Sequence, residues 1–308
     1  MLQLGRKHSL AALLRCSGGI PWRRDRPGPT NFRGLSNSSD GEELLNINRL
    51  MSLKGICSRR EANEFVRRGL VDVDGRIALL GEEVSRHATV RLLQEAQEEK
   101  MSELTVMLHK PINWISQNSD ATSKRDRHRL AIKLLTLENQ SSADVEHTRA
   151  YSRAVVPSTL TGLACAGRLD FESSGLLIFT QDGVVARKLI GQESKIEKEY
   201  HVTVHPSGQL SDLTPSIHRL RHGLSLDGKA LKPAQVDVLD ERMFSPSNDS
   251  ITLRIVLSEG RYRQIRRMCA LVGMKVLRLH RVRVGDLFLG NLEEGKWREI
   301  DRSIFLNK

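Results

Sequence analysis

Apolar and polar residues alternate along Glu197–Val204, so Tyr200, Val202 and Val204 fall on one face, and the spacing predicts a half-buried strand. A second strand is predicted over Leu104–Pro111, ending at the Lys110-Pro111 pair. A third apolar run, Gly175–Phe179, lies between a polar loop and Gln181-Asp182-Gly183, which predicts a buried strand closed by a turn. Helical spacing dominates two other segments. Over Arg59–Arg68, one side carries Ala62, Phe65 and Val66, and the other carries Arg60, Arg67 and Arg68. Ser58 and Glu61 form a capping box for that helix, and Gly69 ends it. Val71–Arg76 follows as a hairpin turning at Asp74-Gly75. Taken as a helix, Glu259–Gly273 gathers Arg263, Arg266 and Arg267 within roughly 100° of arc. Ile265 and Met268 lie opposite, and Gly273 suits the C-terminal cap.

Charge adds a partner to this picture. The 308 residues carry a net charge of +11 and a pI near 9.8, which favours a polyanion. Residues 1–43 hold seven Lys/Arg against four Asp/Glu, so most of the excess belongs to the body. That first segment is Arg-rich, almost free of acids before residue 40, and followed by Pro, Gly and Ser. It reads as a transit peptide for a mitochondrion or plastid; as a mere basic tail it would leave the protein cytoplasmic. Four divisions are expected: 1–43, a compact basic module at 44–93, a linker at 94–103, and a second domain at 104–308. Between Pro111 and Gly167 the chain carries far more than a median connection, and about 118–156 is expected as a surface insertion.

Some chemistry is excluded early. No run approaches the ~18 apolar residues of a membrane span, so no membrane partner is expected. Cys16, Cys57, Cys165 and Cys269 have neither zinc nor disulfide spacing, and reduced thiols are expected. His218 and His222, four apart, lack a third ligand nearby. Phosphate-cradling and dinucleotide motifs are missing, so neither metal nor cofactor is expected.

The segment Gly167-Arg168-Leu169-Asp170-Phe171-Glu172-Ser173-Ser174-Gly175-Leu176-Leu177 sets an acid at the edge of a core strand. With the Lys198-Glu199-Tyr200 strand, the Glu259–Met268 helix and the tail Arg281–Gly290, it resembles the pseudouridine synthases of the RsuA/RluB/RluE/RluF type, which modify ribosomal RNA. The resemblance covers about residues 44–301, interrupted by the long insertion. Gly55–Ala62 also resembles the first helical turn of an S4 RNA-binding domain. The implied fold class is α+β: a small S4 module, then a catalytic domain with a mixed, mostly antiparallel sheet. The implied activity isomerises uridine to pseudouridine in RNA without a cofactor.

By the same resemblance Asp170 is the catalytic aspartate, acting either on the sugar at C1′ or on a sugar proton. Arg266 is its basic partner, Tyr200 stacks on the target base, and Arg168 belongs to the opening that receives the flipped nucleotide. Arg59, Arg60, Arg67 and Arg68 of the module, with Arg263 and Arg267, are expected to bind RNA. The expected partner is ribosomal RNA, with transfer RNA as the second choice, and the chain is expected to act as a monomer. Two other functions stay open. One is an S4-type RNA-binding or ribosome-assembly protein without catalysis. The other is a base-releasing glycosidase using Asp170 and Glu172, which would share a strand face.

Overall fold

The alternating segment from Lys198 onward forms an interior strand of a broad sheet. The computed structural model describes residues 43–117, 120–123, 126–141, 156–191, 194–206, 213–239 and 250–306. The segment read as a transit peptide lies outside them except for its last residue, as do parts of the insertion.

Eight short elements come first. They are strand β1 (Leu44–Asn46), helices α1 (Ile47–Leu53) and α2 (Arg59–Arg67), strands β2 (Val71–Val73), β3 (Arg76–Ile77), β4 (Glu83–Ser85) and β5 (Val90–Leu92), and helix α3 (Gln94–Met101). The capping box starts α2: Ser58 Oγ accepts from the Glu61 N–H at 3.3 Å, and Glu61 Oε2 accepts from the Ser58 N–H at 2.7 Å. Asp74 and Gly75 both take positive φ, 49° and 85°, and close the β2–β3 hairpin. Ile47, Leu50, Met51, Ala62, Phe65, Val66, Val71 and Val73 pack into a core of their own.

The stretch expected as a linker is instead the helix α3. Its buried face holds Ala96 and a lysine, Lys100, so an ionic contact replaces the apolar stripe that hydropathy would detect.

The second part contains β6 (Thr105–Lys110), β7 (Ala164–Cys165), β8 (Ser174–Thr180), α4 (Gly183–Ile190), β9 (Lys198–Pro206), α5 (Thr214–Arg221), β10 (Ser225–Leu226) and β11 (Lys229–Ala230). After these come β12 (Gln235–Val238), β13 (Ile251–Leu257), α6 (Gln264–Leu271), β14 (Met274–Val284), β15 (Leu287–Phe288), β16 (Trp297–Glu299) and α7 (Ser303–Leu306). The main sheet runs β12-β13-β9-β14-β8-β6-β16, with β15 on β14 and β7 on β8. Among the described residues the only two strands of this sheet that pair in parallel are β14 and β8, where Arg281 faces Gly175. The fold is therefore α+β with a mixed, mostly antiparallel sheet. Gly175 has φ 109°, and a Cβ there would lie 2.2 Å from the Arg281 carbonyl oxygen. Only glycine lets the two strands meet. No helix among the described residues is long and apolar enough to cross a membrane.

Helix α6 lays Ile265, Met268 and Cys269 against Val202, Val204, Leu253 and Ile255. Helix α4 covers Leu176 and Ile178 with Val185 and Leu189. The other face of β6 and β8 is covered partly by the insertion: Ala131 and Leu135 are fully buried with Leu108, Leu177, Phe179 and Trp297. Burying Leu135 alone contributes about 2 kcal/mol. This portion of the insertion therefore belongs to the core rather than to the surface. Gln181-Asp182-Gly183, expected as a turn, starts a helix. Asp182 caps α4 by accepting from the Val184 N–H at 2.8 Å. A Cβ at Gly183 would come within 2.4 Å of Ser58 Cβ, so the N-termini of α2 and α4 interlock.

Candidate active site

Asp170 stands in the loop just before β8, and the polypeptide holds that loop from several sides. The buried Ser116 hydroxyl donates to the Leu169 carbonyl at 2.6 Å and accepts from the Leu169 N–H at 2.9 Å. Arg281, 4% exposed, donates Nε to the Leu176 carbonyl at 2.7 Å and Nη1 to the Arg168 carbonyl at 3.3 Å. A Ser173 N–H to Asp170 carbonyl bond of 3.0 Å closes the turn. Backbone contacts thus fix the loop and leave the Asp170 carboxylate partly open to a cleft of about 1060 Å³.

Tyr200 lines the same cleft from β9. Arg266 reaches the carboxylate from α6, its Nε 3.8 Å from Asp170 Oδ2 and 3.7 Å from Glu172 Oε2. That Nε is buried and has no hydrogen-bond partner among the described residues, while Nη2 donates to the Glu172 carbonyl at 3.2 Å. The guanidinium is therefore held beside Asp170 with a donor unused. The structure brings Asp170, Tyr200 and Arg266 together.

Arg263 and Arg267 depart from the expected common face. Helix α6 begins only at Gln264, and Arg263 is left-handed at its N-cap with φ 48°. From there it pairs with Glu172 at 2.9 Å and stands 4.0 Å from Asp170. The Glu172 carboxyl is held below its ordinary pKa by that hydrogen bond and charge. Glu172 shares no strand face with Asp170, because the loop turns between them and β8 starts only at Ser174. Arg267 is turned to Asp227, with contacts of 2.6 and 3.0 Å. Arg168 is exposed at the cleft edge and meets Asp120 at 3.3 Å.

The module arginines divide in a similar way. Arg59 and Arg60 are exposed on α2 and make no ion pair among the described residues. Arg67 is paired with Glu64, and Arg68 with Glu95 and Glu99 of α3. The helical wheel located these arginines but could not reveal their counterions on a segment taken for a linker.

Three cations were missed. Lys110 is fully buried and donates to the carbonyls of Pro111 (2.8 Å) and Trp114 (2.9 Å). Burial and then the Arg281 charge push its pKa down to about 8, against the pull of Asp170. Arg281 and Lys198 line the cleft itself. Only the Lys110-Pro111 strand end and the alternation around Tyr200 could have pointed to the two lysines. Among the described residues, burial pushes the thiols of Cys57, Cys165 and Cys269 up to about 12, away from thiolate character at neutral pH.

Glu61, Glu103 and Asp182 place carboxylate oxygens within 4.8 Å of one another, as a cation site would. Lys100 Nζ already lies among them, at 2.7, 2.5 and 3.2 Å.

Comparisons with known proteins agree with one another. The family described as RNA pseudouridylate synthase matches residues 104–271. The chain is 30% identical to an uncharacterized RNA pseudouridine synthase of Rickettsia conorii, over 84% of this chain and 97% of that one. It is 40% identical to the ribosomal large subunit pseudouridine synthase E of Vibrio parahaemolyticus over 44% of this chain; the match spans 59% of that relative's length. A solved pseudouridylate synthase superposes with a TM-score of 0.50 at 24% identity, covering 85% of this chain and 98% of the other.

Proposed function

We propose that this chain, which belongs to the RNA pseudouridylate synthase family, isomerises one specific uridine of an organellar ribosomal RNA. The family makes the chain an isomerase acting on RNA; the ribosomal target and the organelle are the proposal. The target follows the name of the Vibrio relative, which acts on the large ribosomal subunit. The organelle follows the Arg-rich, acid-poor first 43 residues.

The carrying observation is the shared cleft of Asp170 and Tyr200, with Arg266 3.8 Å from the carboxylate. Isomerisation breaks the N1–C1′ bond, turns the base and rejoins it through C5, with no net oxidation and no water consumed. Asp170 acts towards the sugar, and Arg266 keeps a positive charge beside that carboxylate when RNA closes the site. Tyr200 offers a ring face to a pyrimidine. The target must leave its stack, at a cost of a few kcal/mol, and bound RNA offsets that cost. The module of residues 44–93, read as an S4 domain, supplies affinity through exposed arginines such as Arg59 and Arg60.

The test is a pseudouridine map of organellar and cytosolic RNA with and without the gene product. One organellar ribosomal uridine should lose its modification. A loss confined to cytosolic RNA would overturn the organellar assignment, and an unchanged map would overturn the target altogether.

A further inference from the structure

Lys198 opens β9 two residues before Tyr200, so both side chains point to the cleft side, roughly 7 Å apart along the strand. The acids beside it, Glu197 and Glu199, belong to the other face and are taken there by arginines. Glu199 meets Arg254 at 3.0 Å and Arg283 at 2.9 Å, and Glu197 meets Arg283 at 3.2 Å. A register shift in β14 makes this division. Arg281 pairs with Tyr200, but Arg283, two residues on, pairs with Glu199, so the two arginines serve opposite faces.

On the cleft side, Lys198 is half-buried and has neutral strand neighbours, Leu257 and Val284. The charged groups acting on it are Arg281 and Lys232, both cations. Of the other acids lining the cleft, Glu259 is occupied by Arg261 (3.3 Å) and Gln264 (2.9 Å), Asp120 by Arg168 (3.3 Å) and Asp126 by the Thr122 hydroxyl (2.9 Å), while Asp170 stands 3.8 Å from Arg266. Burial first, then the two cations, lowers the Lys198 pKa to about 8. A half-buried ammonium without a counterion among the described residues weakens the fold.

The geometry points to Lys198 as a binding residue that holds an anionic oxygen of the flipped nucleotide beside Tyr200. The oxygen belongs either to a phosphate flanking the target uridine or to the uracil anion once its bond to the sugar is broken. This inference rests on the isomerase reading, so wild-type pseudouridine formation is measured alongside it.

The test compares full-length wild type, Lys198→Met and Lys198→Arg on in vitro transcripts of the organellar ribosomal RNAs. Binding, single-turnover rate and thermal midpoint are read together. Lys198→Met should lower kcat/KM about ten- to hundred-fold, the range of a charged hydrogen bond, while its midpoint stays equal or rises. Lys198→Arg should recover most of the loss. A phosphate contact would weaken binding and reduce the salt slope by about one. A uracil contact would leave binding unchanged and slow the bound step. Since the ammonium is needed, wild-type kcat/KM should fall as pH rises through about 8, and Lys198→Arg should remove part of that fall. Lys110 titrates in the same range but is present in all three proteins. A Lys198→Met enzyme within about two-fold of wild type would overturn the inference. So would a loss of activity accompanied by a lowered midpoint, which would make Lys198 structural. If wild type itself forms no pseudouridine on these transcripts, the proposed organellar ribosomal target fails, and the binding measurements still decide whether Lys198 holds RNA.

Discussion

Replacing Lys100 by Met should loosen the joint between the N-terminal module and the sheet domain. Lys100 is 8% exposed and contacts Glu61 of α2, Glu103 beyond α3 and Asp182 at the start of α4. Arg302 adds a second cation, 3.2 Å from Glu103 and 3.0 Å from Asp182. Three carboxylates thus face two cations, and Glu103, desolvated and hydrogen-bonded to Glu61, has its pKa pushed up to about 8. Methionine keeps the length of the side chain and removes its charge, leaving the three acids to Arg302. Removing one partner of a buried ionic group costs about 3–5 kcal/mol. Glu103, with its pKa near 8, is already largely protonated at neutral pH, so only Glu61 and Asp182 lose a counter-charge and about 3 kcal/mol, the low end, is expected. For a domain of this size that is a midpoint about 6–12 °C lower by calorimetry. Adding Glu61→Gln, which keeps a capping acceptor, should restore some of the loss. A midpoint within about 1 °C of wild type would refute the argument, because the cluster would then be worth no more than a surface pair.

Glu103→Gln tests the same cluster by pH. Its folded pKa of about 8 exceeds the ordinary 4.5, so its contribution is full below 4.5 and fades as pH rises through 8. Denaturant unfolding should show the mutant gaining on wild type across that window; a constant difference would contradict the assignment. The depressed pKa of Glu61, about 2, acts only below 4.5 and does not interfere. Gly175→Ala should lower the thermal midpoint by about 10 °C or more or prevent folding, because of the 2.2 Å approach to Arg281. A shift of only a few degrees would show that the parallel junction can open. Arg60→Glu should weaken RNA binding and lower the salt slope by about one, whereas Arg68→Glu, already paired to α3, should mainly lower stability. Equal effects of both on the salt slope would be evidence against this division.

Much of the site was legible because its chemistry sits on strong local patterns. The alternation at Tyr200, the run from Gly175 and the Ser58–Glu61 capping box each follow from spacing, and each formed the element expected. What stayed hidden depends on partners distant in sequence. Helix α3 was invisible because its buried side chain is Lys100, held by Glu61 39 residues away. Ala131 and Leu135 were read as surface because an Arg-rich setting masked two apolar residues that meet Trp297 only in the fold. Arg263 was placed on a helix by arc counting, yet it is left-handed and stands outside that helix, which begins one residue later. Lys198 received no role because its lack of a counterion among the described residues depends on both faces of β9 at once.

The central claim, that Asp170 carries the isomerisation, is tested most directly by Asp170→Asn. The amide preserves size, and the loop is held through Ser116 and Arg281 rather than through the carboxylate, so folding and RNA binding should survive. Single-turnover assay of the purified full-length protein on organellar ribosomal transcripts, read by nucleoside digest, should show pseudouridine with wild type and none above background with Asp170→Asn. Turnover by Asp170→Asn within a few-fold of wild type would contradict the account, as would free uracil released by wild type in place of pseudouridine.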